Sequence, residues 1–121
     1  MSSPVAGAAL DGSAPTLCAL IRTFDCEPGA DCQQGAAESV NLPDFIKIDF
    51  RGKTISTTGD GDQPKVTTIR HLEQGDDGII LQGLEETRAW SMVIAKKTGR
   101  MTATVSGHQV AFAVFGACTP F

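Results

Sequence analysis

The chain has 121 residues, of which 41% are hydrophobic and 20% are charged, and its formal net charge is −4. This length indicates one domain, and the composition is that of a globular chain rather than a disordered one. No apolar run approaches the roughly 20 residues that a membrane-spanning helix needs. The Lys and Arg residues are scattered, which argues against nucleic-acid binding because that function requires clustered positive charge.

The first 15 residues are small and rich in Gly, Pro, Ser and Ala. They predict a flexible tail, followed by a single β-rich domain over residues 16–121. The segment lacks the basic start and the long apolar core of a signal peptide. It is consistent with the start of a mature, exported chain.

Strand patterns follow along the rest of the chain. The first covers residues 16–24, and a long loop rich in breakers follows over 25–43, with a short helical turn near 36–40. Alternating or β-branched stretches bounded by turn residues then predict seven further strands: 45–50, 53–58, 65–73, 79–84, 88–95, 101–105 and 109–117. The segments 59–64 and 75–78 are predicted loops, and Gly99 is placed at positive φ in a hairpin.

Short connections between these eight strands favour antiparallel neighbours, because parallel pairs need long crossovers. The expected fold is therefore all-β, an up-and-down meander. Such a meander leaves two exposed edges unless it closes on itself, so we predict a small eight-stranded barrel. A two-sheet sandwich is the alternative.

The four cysteines are an even number in a small chain, which favours two disulfides and an oxidising compartment. In a closed meander with an even number of strands, the end of the last strand lies beside the start of the first. We therefore predict a Cys18–Cys118 bond at the seam and a Cys26–Cys32 bond that clips the loop. The other two pairings stay open from sequence alone, as do four free, buried thiols.

The spacing Cys18-x7-Cys26-x5-Cys32, the segment 41–50 (NLPDFIKIDF) and a cysteine near the C-terminus form a recognisable layout. This layout resembles a group of small exported proteins of Proteobacteria that has no assigned activity. The resemblance implies export to the periplasm or beyond, and it implies disulfides. It carries over no catalytic residue.

The residues that could support catalysis have simpler interpretations. A thiol nucleophile near His71 or His108 needs a free cysteine, and the Cys26–Cys32 spacing is not the Cys-x-x-Cys redox form. Ser91 lies within a predicted strand and has no Gly-x-Ser-x-Gly elbow around it. The pair Glu85-Glu86 falls in a solvated turn.

Metal sites are also poorly supported by the pattern. The cysteines are spaced too widely for a typical zinc site. The acidic turns 60–62 and 76–77 offer oxygen ligands for calcium but do not match the EF-hand spacing. Asp and Gly are common in turns for conformational reasons alone. We therefore predict no catalytic residue, no metal and no cofactor.

Apolar residues in two of the late strands point to one face. We interpret them as core or as the lining of an apolar pocket: Trp90, Met92, Ile94, Phe112 and Val114. The expected function is a non-enzymatic binding or interaction module of the periplasm or cell envelope with a protein partner. The alternatives are a carrier of a small apolar ligand inside the barrel and an enzyme of unrecognised type. The sequence leaves the oligomeric state open.

Overall fold

A computed structural model describes residues 10–40, 42–57 and 65–121. These residues form nine strands and one short 3-10 helix over Ala37–Val40. The strands, in chain order, are β1 (Thr16–Cys26), β2 (Gln33–Gly35), β3 (Phe45–Asp49), β4 (Thr54–Thr57), β5 (Val66–Gln74), β6 (Gly78–Glu85), β7 (Arg88–Ala95), β8 (Arg100–Ser106) and β9 (Ala111–Pro120).

Eight of these strands form a closed antiparallel barrel, which confirms the predicted fold. From β3 to β9 each strand pairs with the next one along the chain, and β1 pairs with both β3 and β9. The β1–β9 ladder is long, running from Thr16 opposite Pro120 to Cys26 opposite Ala111. The sheet is therefore closed, and the fold is not the two-sheet sandwich. The ninth strand, β2, is not part of the closed ring and pairs with β1.

The seam between β1 and β9 carries a disulfide. Cys18 lies directly opposite Cys118 in the ladder, with their Cα atoms 4.0 Å apart, and both side chains are buried. A second bond joins Cys26 to Cys32 and closes the loop that follows β1. Both expected pairings are therefore present, and the chain has no free thiol.

Close approach of the two seam strands depends on a glycine. A Cβ atom at Gly116 would collide with the carbonyl oxygen of Ala19 on β1. The neighbouring register shift between Leu20 and Arg22 marks a β-bulge in β1. Gly116 therefore lets β9 pack against the point where β1 bends.

Side chains fill the barrel interior in successive cross-strand rows. In each row, the inward residues of β5 to β9 are register partners, as alternation along paired strands requires. One row joins Ile69, Gly83, Trp90, Val105 and Phe112, and the next joins Leu72, Leu81, Met92, Ala103 and Val114. A third contains Ile79, Ile94 and Met101. The interior is therefore a packed core.

Residues 10–15 lie at the end of the barrel that holds the seam disulfide. Leu10 packs against the core, and the Phe121 amide donates a hydrogen bond of 3.0 Å to the Pro15 carbonyl. The Ser13 hydroxyl and amide both donate to the Asp11 carboxylate, and these bonds lower the pKa of Asp11. Residues 1–9 of the predicted tail lie outside the described residues.

The 3-10 helix covers part of the opposite end. Ala37 is only 1% exposed, and the buried Thr23 hydroxyl donates a 3.1 Å hydrogen bond to the Ala36 carbonyl. This helix confirms the predicted helical turn. The interpretation of 25–43 as a single loop was wrong in one respect, because Gln33–Gly35 pairs with Thr23–Asp25 of β1.

The turns largely match the sequence pattern. Gly99 adopts the predicted positive φ of 78°, and the turns after β5 and β6 fall where they were expected. Lys53 and Glu86 also have positive φ, which their residue types did not indicate. The predicted loop 59–64, with its acidic turn 60–62, lies outside the described residues.

We expect the seam disulfide to stabilise the fold more than the loop disulfide does. The two bonds close segments with sequence separations of 100 and 6 residues. In the chain-entropy description these loops correspond to about 4.7 and about 2 kcal/mol. The double variant Cys18→Ala/Cys118→Ala should therefore lose most of its cooperative thermal transition, as measured by circular dichroism.

The matched control is Cys26→Ala/Cys32→Ala, which removes the same number of sulfur atoms and should retain a cooperative transition at a moderately lower midpoint. Equal midpoints for the two double variants would contradict the role of the seam.

Candidate functional site

An apolar band crosses the outer surface of β6, β7 and β9. It consists of Ile80, Val93 and Phe115, whose side chains are 39%, 48% and 44% exposed. Val93 lies opposite Ile80 on one side and opposite Thr102 on the other, and Thr102 lies opposite Phe115. The three residues therefore belong to one cross-strand row. We call these three residues the apolar band.

The band faces solvent because its members alternate with core residues. Ile80 lies between the buried Ile79 and Leu81, and Val93 lies between the buried Met92 and Ile94. Side chains of successive strand residues point to opposite sides of a sheet, so burial of one set exposes the other. At these positions the strands carry apolar side chains on both faces, a pattern that is typical of strands covered on both sides.

Further apolar side chains extend the band at its two ends. At the β9 end, Phe115 packs edge-on against Phe24 of β1, with 5.9 Å between ring centroids, and Ile21 nearby is 62% exposed. At the β6 end, Leu84 is 52% exposed and lies two outward positions from Ile80. The exposed apolar side chains therefore lie on neighbouring strands, with Thr102 between Val93 and Phe115 and Gln82 between Ile80 and Leu84.

A groove of about 440 Å³ lies beside the band on β5 to β8. Small polar side chains form its floor, and the hydroxyls of Ser91 and Thr104 are hydrogen-bonded across the strands at 3.1 Å. The groove is lined by Arg70, His71, Gln82, Gly83, Leu84, Ala89, Trp90, Ser91, Thr104 and Ser106. The groove therefore combines polar side chains with the apolar Leu84, Ala89 and Trp90.

Trp90 lies between the core and this groove. The ring is partly buried, and it packs on Gly83, its direct partner in the β6–β7 ladder. Its indole Nε1 is buried and has no hydrogen-bond partner among the described residues. Met92, Ile94, Phe112 and Val114 are all buried in the interior rows. The structure therefore brings the five expected residues together on the inner face, and Trp90 is the least buried of them.

A second concave region, of about 380 Å³, lies beside the loop disulfide. It is lined by Asp25, Glu27, Ala30, Asp31, Gln33, Gln34 and Ser39. The Cys26–Cys32 bond and a turn hydrogen bond of 3.2 Å from the Ala30 amide to the Glu27 carbonyl hold this segment together. Sequence reasoning did not identify this region.

The residues considered for catalysis do not converge in the structure. The His71 imidazole pairs with the Glu73 carboxylate at 3.1 Å, with both side chains exposed, and Ser91 points outward to Thr104. Within the described ranges, no three His, Cys, Asp or Glu side chains are grouped as metal ligands would be. The described helical residues also include no segment long and apolar enough to cross a membrane.

Comparison with known proteins adds no further constraint. No protein-family model matches the chain, and neither does any curated protein or solved structure. The surfaces described above are therefore the basis for a functional proposal.

We expect the packing of Trp90 to depend on the absence of a side chain at position 83. A Cβ atom there would lie 2.6 Å from Cε2 of Trp90 and 2.8 Å from the Thr68 carbonyl oxygen. Gly83→Ala should therefore destabilise the protein by about 1–3 kcal/mol, because the ring must move. Denaturant titration and fluorescence of this single tryptophan would measure both effects.

Gly75→Ala is the matched control, since a Cβ atom there would meet only the Gly78 carbonyl oxygen, at 3.8 Å. Unchanged stability and emission in Gly83→Ala would show that Trp90 does not pack on Gly83.

Proposed function

We propose that this protein is a non-enzymatic binding module of the periplasm or cell envelope that docks on another protein. The observation that carries the proposal is the apolar band on the outside of the closed barrel. Contiguous exposed apolar surface with a polar margin is characteristic of protein-interaction sites. Here the polar residues that border the apolar band are those of the groove, among them Ser91 and Thr104.

The packed interior supports an external rather than an internal binding site. The interior rows are occupied by large apolar side chains, and both concave regions described above open on the outer surface. A carrier of a small apolar ligand needs an interior volume of roughly 300 Å³ or more. The arrangement therefore favours a surface partner over an enclosed ligand.

Two features support an oxidising compartment for this function. All four cysteines are in disulfides, and such bonds persist mainly in exported proteins. The cysteine layout also resembles that of small exported proteins of Proteobacteria. A rigid, disulfide-stapled barrel suits binding because its surface requires little ordering when a partner docks.

Site-specific photo-crosslinking in the native host tests this proposal. A benzophenone side chain at Val93 should give a discrete, heavier product after irradiation, because this position lies at the centre of the band. The same side chain at Lys97, an exposed residue in the turn after β7, is the control and should give none. No product, or the same product from both positions, would contradict docking through the band.

A second variant tests whether formation of the crosslinked product depends on the apolar side chains of the band. Ile80→Thr/Phe115→Thr preserves strand propensity, so the barrel should still fold while crosslinking from position 93 decreases. Undiminished crosslinking in a folded variant would place the contact elsewhere.

A further inference from the structure

We propose that the edge of β2 that faces away from β1 binds an extended, basic peptide segment of a partner protein. Such a segment would add as a further strand beside Gln33–Gly35, with its cationic side chains against the carboxylates of Asp25, Glu27 and Asp31. This site is separate from the apolar band and goes beyond the docking function proposed above.

The first observation is the position of β2 in the sheet. Among the described strands, β2 pairs with β1 alone, and it is the terminal strand in the sheet order. Every other strand has a neighbour on both sides, because the barrel is closed. An edge strand presents backbone N–H and C=O groups that can pair with an incoming chain. Gln33 and Gln34 are exposed, and they line a concave region that opens on the outer surface.

The second observation is the charge around this edge. The concave region beside β2 is lined by three carboxylates and by no Lys, Arg or His. None of these three carboxylates forms an ion pair with a described residue, and the only such pair described joins His71 to Glu73. Like charges held together at a surface attract a cationic partner and repel an acidic one. The charge pattern thus selects a basic segment.

The third observation is that the region is held in shape before any partner binds. The Cys26–Cys32 bond ties the end of β1 to the residue just before β2, and Asp25 lies opposite Gln33 in the β1–β2 ladder. Asp25, Glu27 and Asp31 therefore all belong to the β1–β2 hairpin, which the Cys26–Cys32 disulfide closes. A preformed edge reduces the entropy that a binding peptide must overcome.

Fluorescence anisotropy with defined peptides tests the proposal on the intact, oxidised protein. The probe is a labelled heptapeptide of alternating Lys and Val, which is extended, basic and able to pair along a strand. The same peptide with Glu in place of Lys should not bind. A peptide N-methylated at every residue keeps the charges but loses all backbone donors, so it should bind at least several-fold more weakly.

The protein variant Asp25→Asn/Glu27→Gln/Asp31→Asn should bind the Lys–Val peptide about tenfold more weakly at low salt, since three exposed ion pairs are lost. The matched control, Asp76→Asn/Asp77→Asn/Glu85→Gln, makes the same change in net charge at residues that do not line the concave region, and it should bind like the wild type. Circular dichroism would verify that both variants fold.

Three outcomes would overturn the proposal. They are absence of binding to the wild type, equal loss in both charge variants, and undiminished binding of the N-methylated peptide. The variant Ile80→Thr/Phe115→Thr separates the two sites, because it should retain peptide binding even if it abolishes docking through the apolar band.

Discussion

The pairing of β1 with β9 is the constraint on which the rest of the structure depends. These strands lie at the two ends of the described domain, so their ladder converts an open meander into a barrel. The Cys18–Cys118 bond links directly opposed residues of that ladder, and Gly116 allows the backbones to approach. Without this seam, both edges of the meander would be exposed to solvent and to other chains.

Closure also determines which side chains are exposed. The inward residues of a narrow eight-stranded barrel meet in its centre, and here Trp90, Met92 and their row partners occupy that space. On the described outer surface, two regions are candidates for contact with other molecules: the apolar band on β6, β7 and β9, and the acidic edge of β2. Both are presented on a rigid frame, one by the barrel wall and the other by the clipped hairpin.

Much of the fold could be predicted from the sequence. Alternation of apolar and polar residues identified the strands, and the positions of the cysteines indicated which strands lie side by side. Cys18 and Cys118 at the two ends of a meander implied the seam. The short strand β2 could not be predicted, since Gln33-Gln34-Gly35 has no apolar alternation and its pairing depends on the bend after Cys26. The alternation that puts Met92 and Ile94 inside also puts Val93 outside, but the alignment of Val93 with Ile80 and Phe115 depends on the register of the ladders, which the sequence does not give.

The most direct test of the central claim is a non-reducing tryptic map of the native protein by mass spectrometry. Cleavage after Arg22, Lys47 and Arg100 separates the cysteines into three peptides: 1–22, 23–47 and 101–121. Seam closure predicts peptide 1–22 joined to 101–121, with 23–47 carrying its own internal disulfide. Free thiols, or all three peptides joined together, would contradict it.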